Sequence, residues 1–314
     1  MQGAFWEEVI NSLQKKMEDD IIRGKREEEL IDKYSKMDIN DIIQDNIVIA
    51  AELNVNYLEK TMQEEITKME DYTVNFNKHF LELYEESYNA SLMLYKLAAT
   101  IILDYCSDLL VDDIKFSTIK EIATRACQEY LEIISLVKNG FPDGAWARWR
   151  SLYELSIISQ FIFENNNSIA NNFYISANDA NNYEWARESE KFKDYRKDWK
   201  ITFKSILRRC SRRSDKSYKF YLSANKAVHA TAEGTFGRLG VVDGVGSAIG
   251  RSLYGARQSA FFSAVELNEI LRKILSYTSD FDNLILSTTL QMWINKIEIL
   301  YNQSEAKLEE SFKS

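Results

Sequence analysis

His229 is the side chain of this sequence best suited to acid–base chemistry. The chain has only two histidines, and imidazole is the side chain whose unperturbed pKa lies near neutrality. On a helical wheel, Asn225 lies one turn before His229 and Glu233 one turn after it, on a face shared with Tyr218 and Leu222. We therefore predict His229 as a proton-transfer residue with Asn225 as its polar neighbour. The alternative is a histidine that only fills the core.

Arg150 and Glu154 form the second candidate element, four residues apart in the segment that follows the single proline, Pro142. At 100° per residue the pair shares a largely apolar face with Trp146, Tyr153, Ile157 and Phe161. We expect the pair to be drawn inward with that face, and Arg148, on the opposite side, to be solvated. Desolvation offsets most of the attraction in a buried ion pair, so a functional role and a structural pair between two helices both stay open.

Segment 191–219 reverses the charge of the chain. It contains 12 Lys or Arg and 3 Asp, a net charge of +9, whereas the whole chain carries −9. Aromatic residues are interleaved with the cations, namely Phe192, Tyr195, Trp199, Phe203 and Tyr218. Cations neutralise phosphates and aromatic rings stack on unpaired bases, so the segment predicts a polyanion site, with a solvated face as the alternative. Its predicted substrate-binding residues are Arg208, Arg209, Arg212 and Arg213.

Seven of the 11 glycines lie between Gly234 and Gly255. Their spacing is not a dinucleotide-binding fingerprint, because no strand precedes them and no βαβ unit surrounds them. We expect a Gly-rich loop or a small hairpin laid over a site. Tyr254 and Arg257, at the end of this cluster, complete the predicted substrate-binding set.

Long helices are the elements that must position these residues. Hydrophobic residues make up 45% and charged residues 28% of the chain, and one Pro with 11 Gly is too few for a strand-and-turn architecture. We predict an all-α fold, a multi-helix bundle core with an N-terminal helical appendage and a Gly-rich loop or small hairpin insertion. The predicted domains are an acidic helical appendage at 1–70, a core domain with the candidate site at 71–281, and a C-terminal helix packed on the core at 282–314. The Asn-rich stretch 164–182 predicts a loop or a frayed helix.

Several classes of protein do not fit the sequence. No run approaches the roughly 18 apolar residues of a transmembrane helix, and the N-terminus lacks the layout of a signal peptide. Three widely separated cysteines indicate reduced thiols in a cytoplasmic protein and show no zinc-binding spacing. With two histidines we expect no histidine-rich metal site, and we expect no metal and no cofactor.

Three sequence blocks in order carry a resemblance to a known family: GFPDGAWARWRSLYE, ANKAVHAT and SLYGARQSAFF. They resemble an uncharacterised bacterial domain-of-unknown-function family, in which an Arg-x-x-x-Glu helix precedes a Val-His motif and a Tyr-Gly motif. The resemblance covers roughly residues 120 to 280. That family is similar in outline to HEPN-like helical domains and abortive-infection proteins, many of which are metal-independent ribonucleases.

The resemblance implies roles for individual residues. His229 becomes the proton-transfer residue, Arg150 a phosphate or transition-state contact, and Asn225 a polar helper. The HEPN signature is Arg-x4–6-His, but the corresponding positions here are Leu222, Ser223 and Ala224. Arg150 therefore has to supply the positive charge from another helix.

The function that the resemblance implies is that of a cytoplasmic, RNA-directed protein of the defence or toxin type, with metal-independent endoribonuclease activity. The expected partners are RNA or another single-stranded nucleic acid and a second copy in a homodimer, without a membrane. One alternative is a non-catalytic binding or scaffold module that dimerises through its N-terminal helices. Another is a sensor whose Gly-rich loop holds a small ligand. The sequence does not decide whether the protein is an enzyme.

Overall fold

The computed structural model describes residues 2–36, 39–106, 113–178, 183–212, 215–229, 232–241, 250–277 and 281–311. Within these ranges the regular secondary structure is helical and includes no strand, which confirms the predicted all-α class. The chain divides into two compact units, Met1–Tyr72 and Thr73–Ser314. In the described ranges no helix combines the length and the apolar character needed to cross a bilayer.

The N-terminal unit contains α1 (Gln2–Ile22), α2 (Glu27–Ser35) and the first part of α3 (Ile39–Thr100). Among the side chains described there, Asp20 and Leu30 are buried, and Asp20 pairs with Lys25 at 2.7 Å and with Lys33 at 2.5 Å. Large apolar side chains of α3 are exposed in this unit, namely Val55, Leu58, Met62, Met69 and Tyr72. Their intervals of three, four and seven residues are those of a coiled-coil seam.

The C-terminal unit is built on the remainder of α3 together with α4 (Ile114–Lys138), α5 (Pro142–Phe163), α10 (Ala256–Leu275) and α11 (Phe281–Ser311). A π-helical turn, Ile101–Tyr105, follows α3. Shorter helices lie between α5 and α10, namely α6 (Asn167–Ile175), α7 (Phe203–Leu207), α8 (Asp215–Val228) and α9 (Ala232–Phe236). The Gly-rich cluster falls partly on residues 242–249, which lie outside the described ranges.

Helices α4, α5 and α10 pack against one another, α11 packs on α10, and α8 packs on α5. Hydroxyl groups connect the outer helices to α3: Tyr130 of α4 donates to the carbonyl oxygen of Ser91 at 3.2 Å, and Tyr301 of α11 lies 3.2 Å from the Ser91 hydroxyl. On α5 the indoles of Trp146 and Trp149 stack in parallel, with ring centroids 4.2 Å apart. The central position of α5 places its polar residues among core helices.

The turn into α5 depends on a glycine. Gly140 has φ +77°, a left-handed conformation that side chains disfavour, and a Cβ at this position would lie 2.5 Å from the ring of Phe76. Pro142 is the first residue of α5, where a missing N–H leaves no helical hydrogen bond unmade. Asp143 accepts a hydrogen bond from the backbone N–H of Leu239 at 2.7 Å. Helix α4 therefore ends just before Gly140, and α5 begins at Pro142.

The Asn-rich stretch is more helical than the sequence predicts. In place of a loop or frayed helix it contains α6, in which Ile169 and Ala170 are fully buried. Packing of these apolar side chains outweighs the weak helix propensity of asparagine. Residues 179–182 of the stretch lie outside the described ranges.

Candidate functional site

Arg150 and Glu154 lie one turn apart on α5, and Tyr221 of α8 joins them. Arg150 Nη2 lies 3.2 Å from Glu154 Oε1, and the Tyr221 hydroxyl donates to that same oxygen at 2.7 Å. The Arg150 guanidinium also lies over the Tyr221 ring, 5.5 Å from its centroid. The side chains of Arg150 and Glu154 are 30% and 21% exposed. The pair is therefore drawn inward, as its apolar face predicts, and still reaches solvent.

Burial and the Glu154 carboxylate shift the protonation of this cluster. Burial first, and then Glu154, raises the pKa of Tyr183 to about 12. Burial also raises the pKa of Tyr221, and its hydrogen bond to Glu154 raises it further. For Arg150, burial lowers the pKa, but Tyr221 and Glu154 outweigh this effect and raise it. The cluster at neutral pH is thus a paired guanidinium beside neutral phenols.

A cleft of about 460 Å³ opens beside this pair, between α4, α5 and the end of α8; we call it the Arg150 cleft. Polar and charged residues of its wall include Glu132, Arg148, Arg150, Ser151 and Glu154, and α8 contributes Val228. The volume is within the range of roughly 300–1,000 Å³ found for ligand sites. Guanidinium groups and carboxylates thus line one concave surface.

Arg148, which the helical wheel predicts to be solvated, is half-buried: its side chain is 31% exposed, and it is paired with carboxylates. Its Nε lies 2.5 Å from Glu132 Oε2, and its Nη2 lies 3.5 Å from Glu129 Oε1. Glu129 is fully buried on α4, where burial raises its pKa and Arg148, Ser151 and Arg125 partly counteract that rise. The buried carboxylate attracts Arg148 toward α4, a long-range partner that the helical wheel of α5 does not reveal.

His229 directly follows Val228, the last residue of α8, and its side chain is exposed. Because Val228 lines the Arg150 cleft, the backbone places His229 beside the rim of that cleft. Among the described residues, its imidazole makes no hydrogen bond or ion pair. The structure therefore joins Arg150 and Glu154 to a tyrosine of α8, and the catalytic role of His229 stays a prediction.

The helical face predicted across residues 218–233 is shorter than expected. Helix α8 stops at Val228, and Glu233 lies on the separate helix α9, where it forms an ion pair with Lys226. Residues 230–231 lie outside the described ranges. Asn225 keeps its place one turn before His229, whose backbone N–H donates to the Asn225 carbonyl oxygen at 3.2 Å.

Five buried side-chain polar atoms on the packed helices α5 and α8 have no hydrogen-bond partner within the described part of the chain. Three belong to the aromatic side chains of Trp146, Trp149 and Tyr153, and the other two are Nε of Arg150, a donor, and Oδ1 of Asn225, an acceptor. Buried polar atoms are normally paired, and an unpaired one implies a ligand, an ion or a water molecule. Arg150 contacts Tyr221, and Asn225 lies one turn after Tyr221 on α8, so the unpaired atoms of both residues favour a polar group bound in this region.

Arg212 is held inside the protein. Its guanidinium lies 2.5 Å from Glu266 and 3.4 Å from Glu269, and it also donates to the Ser156 hydroxyl. Both glutamates belong to α10, and the Arg212 side chain is 19% exposed. These contacts occupy the guanidinium with carboxylates, so its predicted role in substrate binding competes with a structural one.

The other arginines of segment 191–219 differ in their surroundings. Arg209 lies over the Phe192 ring, 4.5 Å from the centroid, and donates to the Lys191 carbonyl oxygen at 2.8 Å. Arg208 is exposed. Arg213 lies outside the described residues. Of the three arginines described, Arg208 is thus the one that presents its charge fully to solvent.

Exposed cations concentrate between residues 193 and 208, and we call this region the basic surface. Its members are Lys193, Arg196, Lys197, Lys200, Lys204 and Arg208. Phe192 and Phe203 of the interleaved aromatics are buried in the core, whereas Trp199 is 50% exposed. The Arg196 guanidinium lies 5.3 Å from the centroid of the Trp199 ring. The basic surface therefore combines cations with one accessible aromatic ring.

Tyr254 and Arg257 lie at the start of α10. Arg257 pairs with Glu305 of α11 at 3.3 Å, and its buried Nε has no partner within the described residues. The backbone N–H of Tyr254 donates to the Ser252 hydroxyl at 3.2 Å. Neither contact connects these residues to the Arg150 cleft, so their substrate-binding role stays a prediction.

Sequence reasoning missed three residues of the site. Tyr221 lies four residues before Asn225, so the helical wheel of the His229 segment contained a signal for it. Tyr183 and Glu129 come from parts of the chain far from Arg150, and no spacing rule relates them to it. Only the packing of α4 and of the 183–186 turn around α5 brings them close.

The comparisons with known proteins concern the region that holds this site. Residues 117–244 match the model of a family of unknown function, DUF5677. No curated protein and no solved structure matches the chain. The matched region includes most of α4 and all of α5 and α8, but the predicted likeness to HEPN-like and abortive-infection proteins finds no support in these comparisons. Over the residues that form the Arg150 cleft, the chain is thus similar to DUF5677, a family whose function is unknown.

Proposed function

We propose that this protein binds single-stranded RNA through the basic surface. The observation that carries the proposal is the concentration of six exposed cations between residues 193 and 208 in a chain of net charge −9. A local excess of one charge sign attracts a polyanion even when the whole protein repels it. The exposed ring of Trp199 offers a face on which an unpaired base stacks.

Fluorescence anisotropy with a labelled oligouridine of about 15 nucleotides tests this proposal. Replacing Lys193, Lys197, Lys200 and Lys204 by Ala should weaken binding and flatten the slope of log K against log salt by about 3, because each phosphate contact on a single strand contributes about 0.7. A matched control replaces four exposed lysines elsewhere, Lys60, Lys78, Lys296 and Lys307, and changes the net charge equally. Absence of binding by the wild type at low salt, or equal flattening in the control, would refute the proposal.

Trp199→Ala separates stacking from charge. Base–aromatic stacking contributes about 1–3 kcal/mol per base, so affinity should fall at least several-fold while the salt slope stays the same. Tyr174→Ala, at another exposed aromatic residue outside the basic surface, should bind as the wild type does. An unchanged affinity of Trp199→Ala would remove the stacking part of the proposal.

Phosphodiester cleavage is a second candidate function, favoured by the position of His229 beside a cleft that holds Arg150. In the proposed step, His229 takes the proton of a ribose 2′-hydroxyl, and the 2′-oxygen attacks the neighbouring phosphorus. The bond between phosphorus and the 5′-oxygen breaks, the leaving 5′-oxygen takes the proton back from His229, and a 2′,3′-cyclic phosphate remains. Arg150 stabilises the negative charge on the phosphate without a metal ion. Such an activity would serve the defence or toxin role that the sequence resemblance implies.

His229→Ala tests cleavage with little risk to the fold, because the side chain is exposed. The rate of RNA cleavage in the presence of a chelator should fall by about 10²–10⁴ while the melting temperature is unchanged. The matched control is His79→Ala, at the other exposed histidine, which pairs with Glu82 on α3. On expression in cells, the wild type and His79→Ala should be toxic, and His229→Ala should not. Wild type that does not cleave RNA, or His229→Ala that cleaves at the wild-type rate, contradicts this candidate.

A further inference from the structure

A cleft of about 700 Å³ lies among the end of α5, the last turns of α10 and the first turns of α11; we call it the Lys273 cleft. The residues that matter for its chemistry are Phe163, Glu269, Arg272, Lys273, Phe281 and Leu284. None of them lines the Arg150 cleft or belongs to the basic surface. Its size suits a small organic molecule.

Lys273 is the buried cation of this cleft. The residue is 5% exposed, and its Nζ donates a hydrogen bond to the Glu269 carbonyl oxygen at 2.7 Å. An ammonium group has three N–H donors, and one of them is used within the described residues. Lys273 forms no ion pair with a carboxylate there, which is unusual for a buried lysine.

The carboxylates nearest to Lys273 are paired with arginines. Arg212, Arg272 and Lys273 are cations, and the carboxylates near them are Glu266 and Glu269. Arg212 engages both carboxylates, and Arg272 lies 3.8 Å from Glu269. Burial first, and then the nearby Arg212, lowers the pKa of Lys273 to about 8. Arg272 is 48% exposed, whereas Lys273 is buried without an ion pair of its own, so an added anion would supply the counter-charge that Lys273 lacks.

Apolar side chains of α5 and α11 also line the cleft. They are Phe163 of α5 and Phe281 and Leu284 of α11, and the last two are 74% and 65% exposed. Apolar side chains of this size are stabilised when an apolar body covers them. A ligand that fits the cleft therefore has an anionic group at one end and an apolar body at the other.

We propose that the Lys273 cleft binds a small organic carboxylate, whose carboxylate group pairs with the Lys273 ammonium while its apolar body covers Phe281 and Leu284. The site does not depend on RNA binding, because it shares no residue with the basic surface. It differs from a ligand site in the Gly-rich loop, since it is formed by α5, α10 and α11.

Isothermal titration calorimetry with benzoate, 1-naphthoate and octanoate tests the proposal, and 1-naphthamide serves as the uncharged analogue. At least one of the carboxylates should bind with one site per chain, and the amide should bind more weakly than naphthoate. Lys273→Met should weaken binding by about 10- to 100-fold, the effect of losing a hydrogen bond to a charged group. Lys307→Met, the same change at an exposed position of α11, should leave affinity unchanged.

Two further measurements keep the test decisive if Lys273→Met alters the fold. Leu284→Ala removes an exposed side chain and should weaken binding by about 5- to 10-fold through lost apolar burial. Affinity should also fall as pH rises through about 8, because Lys273 loses its proton. The other charged groups that face Lys273 are Arg212, Glu266, Glu269 and Arg272. Cys210 stays protonated there, because burial raises its pKa to about 11.

The remaining elements of the cleft, α5 and α11, contribute uncharged side chains to its described wall. A loss of affinity near pH 8 is therefore assigned to Lys273. The proposal is overturned if none of the three carboxylates binds the wild type at millimolar concentration or if naphthamide binds as tightly as naphthoate. It is equally overturned if Lys273→Met folds and keeps the wild-type affinity, or if affinity is constant from pH 7 to 9.

Discussion

Glu266→Gln should destabilise the C-terminal unit more than Arg212→Met, although both changes break the same ion pair. The two charged groups are 2.5 Å apart, and their side chains are 3% and 19% exposed. Removing the glutamate leaves three cations of the cluster with Glu269 as their single carboxylate. Removing the arginine leaves two carboxylates beside Lys273 and Arg272, and the charges then balance.

The magnitudes follow from this asymmetry. Breaking a buried ion pair by removing one partner costs about 3–5 kcal/mol, and Glu266→Gln should lie in that range. Arg212→Met should cost about 2 kcal/mol, because Lys273 substitutes in part for the lost cation. For a unit of this size about 1 kcal/mol corresponds to a shift of roughly 2–4 °C, so we expect losses of about 6–20 °C for Glu266→Gln and about 4–8 °C for Arg212→Met.

Thermal melts followed by circular dichroism at pH 7 measure both variants. Asp198→Asn is the control, because its pair with Arg196 is exposed on both sides and should contribute less than about 1 kcal/mol. Arg212→Met should also keep the salt slope of RNA binding, since its guanidinium is engaged by carboxylates. Charge balance does not control the stability of this cluster if Glu266→Gln melts within about 2 °C of the wild type, or if Arg212→Met melts at a lower temperature than Glu266→Gln.

Three further outcomes are expected. Gly140→Ala should lower the melting temperature, because φ is +77° and the new Cβ would meet the Phe76 ring. The control is Gly144→Ala inside α5, where the nearest atom to a new Cβ lies 3.9 Å away, and this change should be neutral or stabilising by up to about 1 kcal/mol. The pKa of Lys273 is about 8 in the folded chain and 10.5 as a free side chain, so between these pH values the folded state binds fewer protons than the unfolded state. The melting temperature of the wild type, relative to that of Lys273→Met, should therefore rise from pH 8 to 10. A difference that stays constant over this range would contradict the burial of the ammonium group. Replacing the exposed Leu58 and Met62 of α3 by Glu should convert the expected homodimer to a monomer in sedimentation equilibrium, and a wild type that is already monomeric would exclude it.

The parts of the fold that sequence predicts are those that depend on local chemistry. The end of α4 at Gly140 and the start of α5 at Pro142 follow from the conformations that these two residues favour. The inward position of Arg150 and Glu154 follows from helical periodicity alone. Each of these inferences uses residues within a few turns of one another, where the geometry of the helix is fixed in advance.

The parts that sequence does not predict depend on partners far along the chain. Segment 191–219 has a net charge of +9, and a count of charges treats every arginine in it as equally available to a ligand. In the structure, Arg212 contacts glutamates more than 50 residues away, whereas Arg208 remains exposed. Arg148 likewise reaches the buried Glu129 of α4. Charge counts predict that an electrostatic surface exists, and packing decides which of its members are available.

Three buried or half-buried cations show how that availability is graded. Arg212 is paired with two carboxylates. Arg150 is paired with one carboxylate and contacts a phenol, and among the described residues the Nε of Arg150 has no partner. Lys273 donates a hydrogen bond to a backbone carbonyl oxygen. A cation that is fully compensated inside the fold gains little from an external anion, because binding would first have to break an existing pair. Substitution of Arg212 should therefore change stability alone, substitution of Lys273 should change ligand affinity, and substitution of Arg150 should change both.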